Sequence, residues 1–143
     1  GVRLGGLLLR LARGWRRASL GRSVAHRGIE AELLHRRREV LGQLGGGVSI
    51  EDGQKAARAC AINLLAQIKS ALGDLDKIAR VVRLGGFINS APGFTDGPKV
   101  MNGASDLMVA AFGDKGRHAR TTVGVSALPM NAAVEVEAAF EVS

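Results

Sequence analysis

Arg120 and Glu135 are the two side chains whose types and positions best suit chemistry on a small molecule. A guanidinium offers a planar fork that grips a carboxylate through two parallel hydrogen bonds, which an ammonium cannot match. Arg120 stands at the start of a β-branched run, Thr121-Thr122-Val123-Gly124-Val125, so a rigid element could aim it into a cleft. A solvated arginine at a strand end fits the same residues. Glu135 and Glu137 share one face of the last alternating stretch, by the period of two of a strand. A carboxylate there could hold or deprotonate a water if partial burial raised its pKa. An exposed strand face is the plainer reading of both, and spacing alone does not choose between them. Asn102 could donate to a bound molecule or cap a neighbouring strand. Cys60 falls on an apolar helical stripe and reads as a small buried hydrophobe. His118 lies near Arg120 without a visible partner and reads as loop. His26 and His35 form no metal-ligand spacing, and a single cysteine leaves neither a disulfide nor a thiolate cluster, so no metal is expected.

The elements that must position these groups begin after Gly45-Gly46-Gly47. Ser49 followed by Asp52 has the form of a capping box. Ala57, Cys60, Ala61, Leu64, Ile68 and Leu72 recur at spacings of three and four up to Gly73, which predicts a helix over 50–72. Ile78, Arg80, Val82 and Leu84 alternate with Ala79, Val81, Arg83 and Gly85, a strand reaching about Asn89. Asp96-Gly97-Pro98 opens a second helix with Val100, Ala104, Leu107, Met108 and Ala111 on its apolar face. A strand at 121–125, a turn at Pro129-Met130-Asn131 and a strand from Ala133 to Val142 complete the order. Helix, strand, helix, strand, strand implies an α+β fold with two helices on one face of a mixed sheet. So few strands leave the sheet unfinished, and the remainder must come from the N-terminal segment or from another subunit.

Charge separates two regions. The formal net charge is +7, and residues 1–46 carry all of it: ten Arg against Glu30, Glu32 and Glu39. Residues 47–143 hold ten cations and ten acids. The balanced part, with aromatics at only 3% of the chain, gives no reason to expect a nucleic-acid partner. The chain has no run of about 18 uncharged apolar residues, so no membrane-spanning helix is expected. Segment 1–46, Arg-rich with no Lys and no acid before Glu30, has three readings: an organellar targeting peptide, a basic amphipathic anchor or other divergent element with Leu8, Leu11 and Trp15 on one side, or GC-rich DNA translated out of frame. The single cysteine fits a reducing compartment, so a cytoplasmic location is expected if the segment is not a targeting signal.

Three stretches in order resemble the reactive-intermediate deaminase (Rid, YjgF-like) family, formerly called L-PSP endoribonucleases. They are SIEDGQKAARACAINLLAQIKSALGDLDKIARVVRLGGFINSAPGF, FTDGPKVMNGASDLMVAAFGDKGRHAR and RTTVGVSALPMNAAVEVEAAF. The last matches the family's Arg-x-x-Val-x-Val-x-x-Leu-Pro followed by a Val-Glu-Val-Glu-Ala strand, and the likeness covers about residues 41–143. It implies a chorismate-mutase-like α+β subunit, a homotrimer with clefts between subunits, and hydrolysis of enamines and imines such as 2-aminoacrylate to 2-oxo acids and ammonia, with no metal or organic cofactor. Arg120 matches the substrate-binding arginine. The Leu128-Pro129 spacing selects Glu135 over Glu137 as the acid/base near the attacking water. Thr122 takes the place of a frequent cysteine whose backbone contacts substrate, and Asn102 the family's Val-x-Asn position. Gly-Ala-Ser-Asp-Leu after that Asn resembles a subgroup distinct from the best-studied deaminases. The family's early hairpin and its Ser-Gly-Gln-type strand, which line the cleft, have no counterpart in the first 45 or so residues.

Two other functions compete with the deaminase. A non-catalytic binder or regulator would use the same cleft for a small carboxylate without turnover. Endoribonuclease activity, the family's older label, fits poorly with the neutral charge balance of 47–143.

Overall fold

The structure, a computed structural model, describes residues 2–4, 7–13 and 40–143. Its elements are β1 (Val2–Leu4), β2 (Leu7–Arg13), α1 (Ile50–Leu72), β3 (Ile78–Asn89), α2 (Gly97–Phe112), β4 (Ala119–Val125) and β5 (Val134–Val142). The predicted order after residue 48 is the observed one. His26 and His35 lie outside the described residues.

Local chemistry sets the helix ends. The Ser49 hydroxyl accepts the Asp52 amide at 3.1 Å and donates to the Asp52 carboxylate at 3.0 Å, which satisfies one of the orphan donors of the first turn. Gly73 closes α1 with φ 81°, and its amide donates to Lys69 O at 2.7 Å. In α2, Pro98 sits in the first turn, where its missing N–H costs nothing.

The sheet runs β1-β2-β5-β3-β4. β3 is antiparallel to β5 and parallel to β4, so β3-α2-β4 is a crossover unit. β2 lies parallel to β5 on the other side, so of the two expected sources of further strands the structure uses the N-terminal segment. Both helices cover one face: α1 crosses β5, and α2 lies over β3 and β4. Leu64, Leu65, Ile68, Leu84, Ile88, Met101, Leu107, Met108 and Phe140 are buried between the layers. The packed unit reaches back to Val40, whose carbonyl accepts the Ala133 amide at 3.0 Å, and Leu44 is fully buried.

One expectation needs correction. Strict alternation along β3 does not hold, because Ile78, Val81 and Leu84 are the buried residues and Val82 is exposed. Register shifts between Ile78 and Arg80 and again between Val81 and Arg83 bulge the strand and reset its parity before Leu84. From Leu84 onward the pairing with β5 runs in regular register.

The helices meet with no clearance. A Cβ on Gly103 of α2 would stand 2.0 Å from the Gln54 carbonyl of α1, so only glycine lets the two backbones approach this closely. Below, a Cβ on Gly86 of β3 would stand 2.4 Å from Met101 Sδ. Helix α2 is thereby fixed in depth and rotation on both sides of Asn102.

Candidate functional site

Register decides which side chains share a face. In β4, Arg120 is paired with Leu84 and Thr122 with Gly86. Leu84 is buried under the helices and Gly86 lies against Met101. Neighbours across strands share a face, so Arg120 and Thr122 belong to the helix-covered side. There Arg120, itself exposed, reaches the rim of α2. Its Nη1 donates to Asn102 Oδ1 at 2.9 Å and to Ser105 Oγ at 3.1 Å. Asn102 and Ser105 are three apart on α2 and therefore share a helical face.

The chain of contacts continues inward. Ser105 Oγ lies 3.1 Å from His118 Nε2, and His118 Nδ1 hydrogen-bonds the Gly116 carbonyl. A carbonyl only accepts, so Nδ1 carries a proton and Nε2 is the variable nitrogen. His118, read from sequence as loop without a partner, is thus bonded at both nitrogens. It is two residues from Arg120 on an extended segment, and Ser105 is three from Asn102. These two spacings were the available signal for the pair, and only the crossover connection brings them together.

Both hydrogens of Arg120 Nη1 are committed to Asn102 and Ser105. The Nε–Nη2 edge has no protein partner among the described residues. Two parallel donors on that edge match a carboxylate side-on. Asn102 is therefore a holder of the guanidinium through Oδ1, while its Nδ2 makes no bond to a described residue. Thr122 lies near the start of α2, its methyl 3.1 Å from where a Cβ on Gly97 would be. Its hydroxyl is buried without a hydrogen-bond partner among the described residues.

Glu135 and Glu137 are elsewhere. They pair with Phe87 and Gly85, the alternate residues of β3, and so share the face of the sheet turned away from the two helices. Glu137 folds over Gly85, where a Cβ would stand 2.6 Å from its Oε1. The same face carries the Arg80–Glu141 ion pair at 2.8 Å, and Arg83 donating to Thr121 Oγ1 at 3.3 Å. Within one protomer the structure brings Arg120, Asn102, Ser105 and His118 together and leaves Glu135 across the sheet from them.

Cys60 sits half-buried on α1, its thiol 3.5 Å from Val134 O. Burial, and after it the charge of Glu135, pushes the thiol up to about 11, so at neutral pH it is protonated and a poor nucleophile. Among the described residues no group of three or more His, Cys, Asp or Glu converges as a metal site, and no helix is long and apolar enough to cross a membrane.

A family model described as "YjgF/chorismate_mutase-like, putative endoribonuclease" matches residues 25–141. The chain belongs to that family. The match starts upstream of residue 41, where the motif likeness begins. Protein TCP17 of Trypanosoma cruzi is 53% identical over 105 residues, 73% of this chain and 66% of TCP17. The chain thus spans just under two thirds of that relative's length. The crystal structure of Atu1372 from Agrobacterium tumefaciens, a protein of unknown function, superposes with a TM-score of 0.73 at 47% identity, covering 75% of this chain and 70% of that one. A Shewanella oneidensis structure described as a "putative endoribonuclease" gives a TM-score of 0.65 at 36% identity, over 67% and 64% of the two chains. The YjgF chorismate-mutase-like fold expected from the motifs is the fold observed.

Proposed function

We propose that this YjgF-like chain binds small 2-oxo and 2-imino carboxylates at Arg120 and hydrolyses reactive enamines and imines of the 2-aminoacrylate type to 2-oxo acids and ammonia. The observation that carries this reading is the guanidinium itself: one nitrogen is tied to α2 and the side-on edge is left for a ligand. Holding the fork in advance avoids much of the entropy cost of ordering a long side chain on binding. The substrate carboxylate takes the Nε–Nη2 edge. Water then adds to the imine carbon and ammonia leaves.

Glu135 can serve that water only if the substrate lies between two copies of the chain, Arg120 of one and Glu135 of another. A homotrimer with intersubunit clefts would supply such a meeting.

A coupled assay tests the activity: a pyridoxal-phosphate lyase generates 2-aminoacrylate, and the rate of 2-oxo-acid release is measured with and without the protein. Wild type should accelerate release and Arg120→Ala should not. Equal rates for the two proteins would reject catalysis. The separation of Arg120 from Glu135 within one protomer favours a second reading, a carboxylate-binding protein without turnover. Calorimetric binding of a 2-oxo acid, lost in Arg120→Ala and unaccompanied by acceleration, would establish it.

A further inference from the structure

Ser105 and His118 have no part in the deaminase reading, yet they are bonded in series to the group on which it rests. We infer that both are positioning residues: His118, acting through Ser105, sets the plane of the Arg120 guanidinium and so the direction in which its Nε–Nη2 edge meets a carboxylate. The use of that plane by a ligand rests on Arg120 being the carboxylate anchor, whereas the setting of the plane does not.

The geometry begins at one nitrogen. The hydrogens of Nη1 lie in the guanidinium plane. A single bond, to Asn102 Oδ1 at 2.9 Å, would let that plane swing about the contact. The second bond, to Ser105 Oγ at 3.1 Å, stops the swing, because both acceptors must then lie close to the plane. Both bonds are made at Nη1, away from the Nε–Nη2 edge. Asn102 and Ser105 therefore hold the group from behind and leave the edge clear.

Ser105 needs help to do this. A serine oxygen moves among staggered positions about χ1, and on a helix it readily turns back to the carbonyl four residues earlier, here that of Met101. The bond to His118 Nε2 at 3.1 Å keeps it facing Arg120 instead. That bond forms whichever of the two side chains supplies its hydrogen, so the arrangement does not turn on the charge of the imidazole. His118 is itself held at Nδ1 by the Gly116 carbonyl. Gly116 is buried against α2, where a Cβ would overlap the Met108 carbonyl. The run of contacts thus leaves α2 at Ser105 and returns to it at Met108. This ring ties the turn before β4, the head of β4 and the rim of α2 into one unit.

Spectroscopy and calorimetry on the full chain test this. In 1H–15N spectra of the free protein the two Nη1 hydrogens of Arg120 should give separate resonances, assigned by their absence in Arg120→Lys. His118→Asn keeps a donor for the Gly116 carbonyl but is too short to reach Ser105. It should collapse the pair into one signal, as should Ser105→Ala. His118→Gln, long enough to reach Ser105, and Ser105→Thr should retain two. Pyruvate affinity should fall about 5- to 20-fold in His118→Asn and in Ser105→Ala, with little change in melting temperature. The double variant should lose no more than the weaker single one, because both break a single path. Separate resonances that persist in His118→Asn, losses that multiply in the double variant, or affinities that follow melting temperature rather than the resonances overturn the inference. If the resonances respond as expected while pyruvate fails to bind the wild-type protein, the positioning stands and the anchor reading alone is refuted.

Discussion

The two faces of the central sheet hold their charges in different ways. On the covered face one run of polar side chains is bonded within the chain: Arg120 to Asn102 and Ser105, Ser105 to His118, His118 to Gly116. On the uncovered face Glu135 and Glu137 stand in a charged row in which only Arg80–Glu141 and Arg83–Thr121 form close contacts among those described. The covered cluster is organised before any ligand arrives. The carboxylates of Glu135 and Glu137 form no ion pair among the described residues. Preorganisation at Arg120 is therefore an internal property of the fold, whereas any role for Glu135 depends on assembly.

The comparison can be broken most severely at Gly103. Gly103→Ala forces a methyl into the Gln54 carbonyl at 2.0 Å, and overpacking against backbone costs about 3 kcal/mol or more. Chemical denaturation should show the loss, and whatever remains folded should lose carboxylate affinity because α2 carries Asn102 and Ser105. Gly86→Ala should cost less, since a flexible thioether can yield.

Cys60 reports on both faces. An ordinary thiol at 9.0 is raised to about 11 in the fold, so the unfolded chain releases this proton first as pH climbs. Its contribution is full below pH 9 and is lost as pH rises toward 11, at most about 3 kcal/mol. Stability measured from pH 8 to 11 should fall more steeply in wild type than in Cys60→Ala. Glu135→Gln should lower the thiol midpoint modestly, because burial is the larger cause.

At the anchor, Arg120→Lys keeps the charge and removes the fork. Affinity for a small carboxylate should drop about 10- to 100-fold by calorimetry, with little change in melting temperature. The smallest effect separates the faces most cleanly. Without an assembled partner, Glu137→Gln should change stability by less than about 0.5 kcal/mol. A larger loss in thermal melts would show that the uncovered face is already engaged.

Much of the fold was legible because its periods are clean. The stripe from Ala57 to Leu72 and the alternation from Val134 to Val142 mark out α1 and β5, and the Ser49 and Gly73 caps bound the first helix. Asn102 could be picked out, and Arg120 stood at the head of its strand. What could not be read was the relation between strands. Parity tells which residues of β5 share a face, but whether Glu135 joins Arg120 depends on the pairings Arg120–Leu84 and Glu135–Phe87, and the two bulges in β3, which cancel by Leu84, hide the inward Val81 from a count of two begun at Ile78. His118 and Ser105 were missed for a related reason. Each looks ordinary in its own element, and the crossover that joins them has no local signature.

The carbonyl of Gln54 pressed against Gly103 has one more consequence. Because backbone meets backbone there, the spacing of the two helices does not depend on the size of any side chain between them, and substitutions elsewhere in the core can be absorbed without shifting the rim of α2. The aim of the guanidinium is thereby insulated from drift in the interior, and it is exposed to failure at one residue.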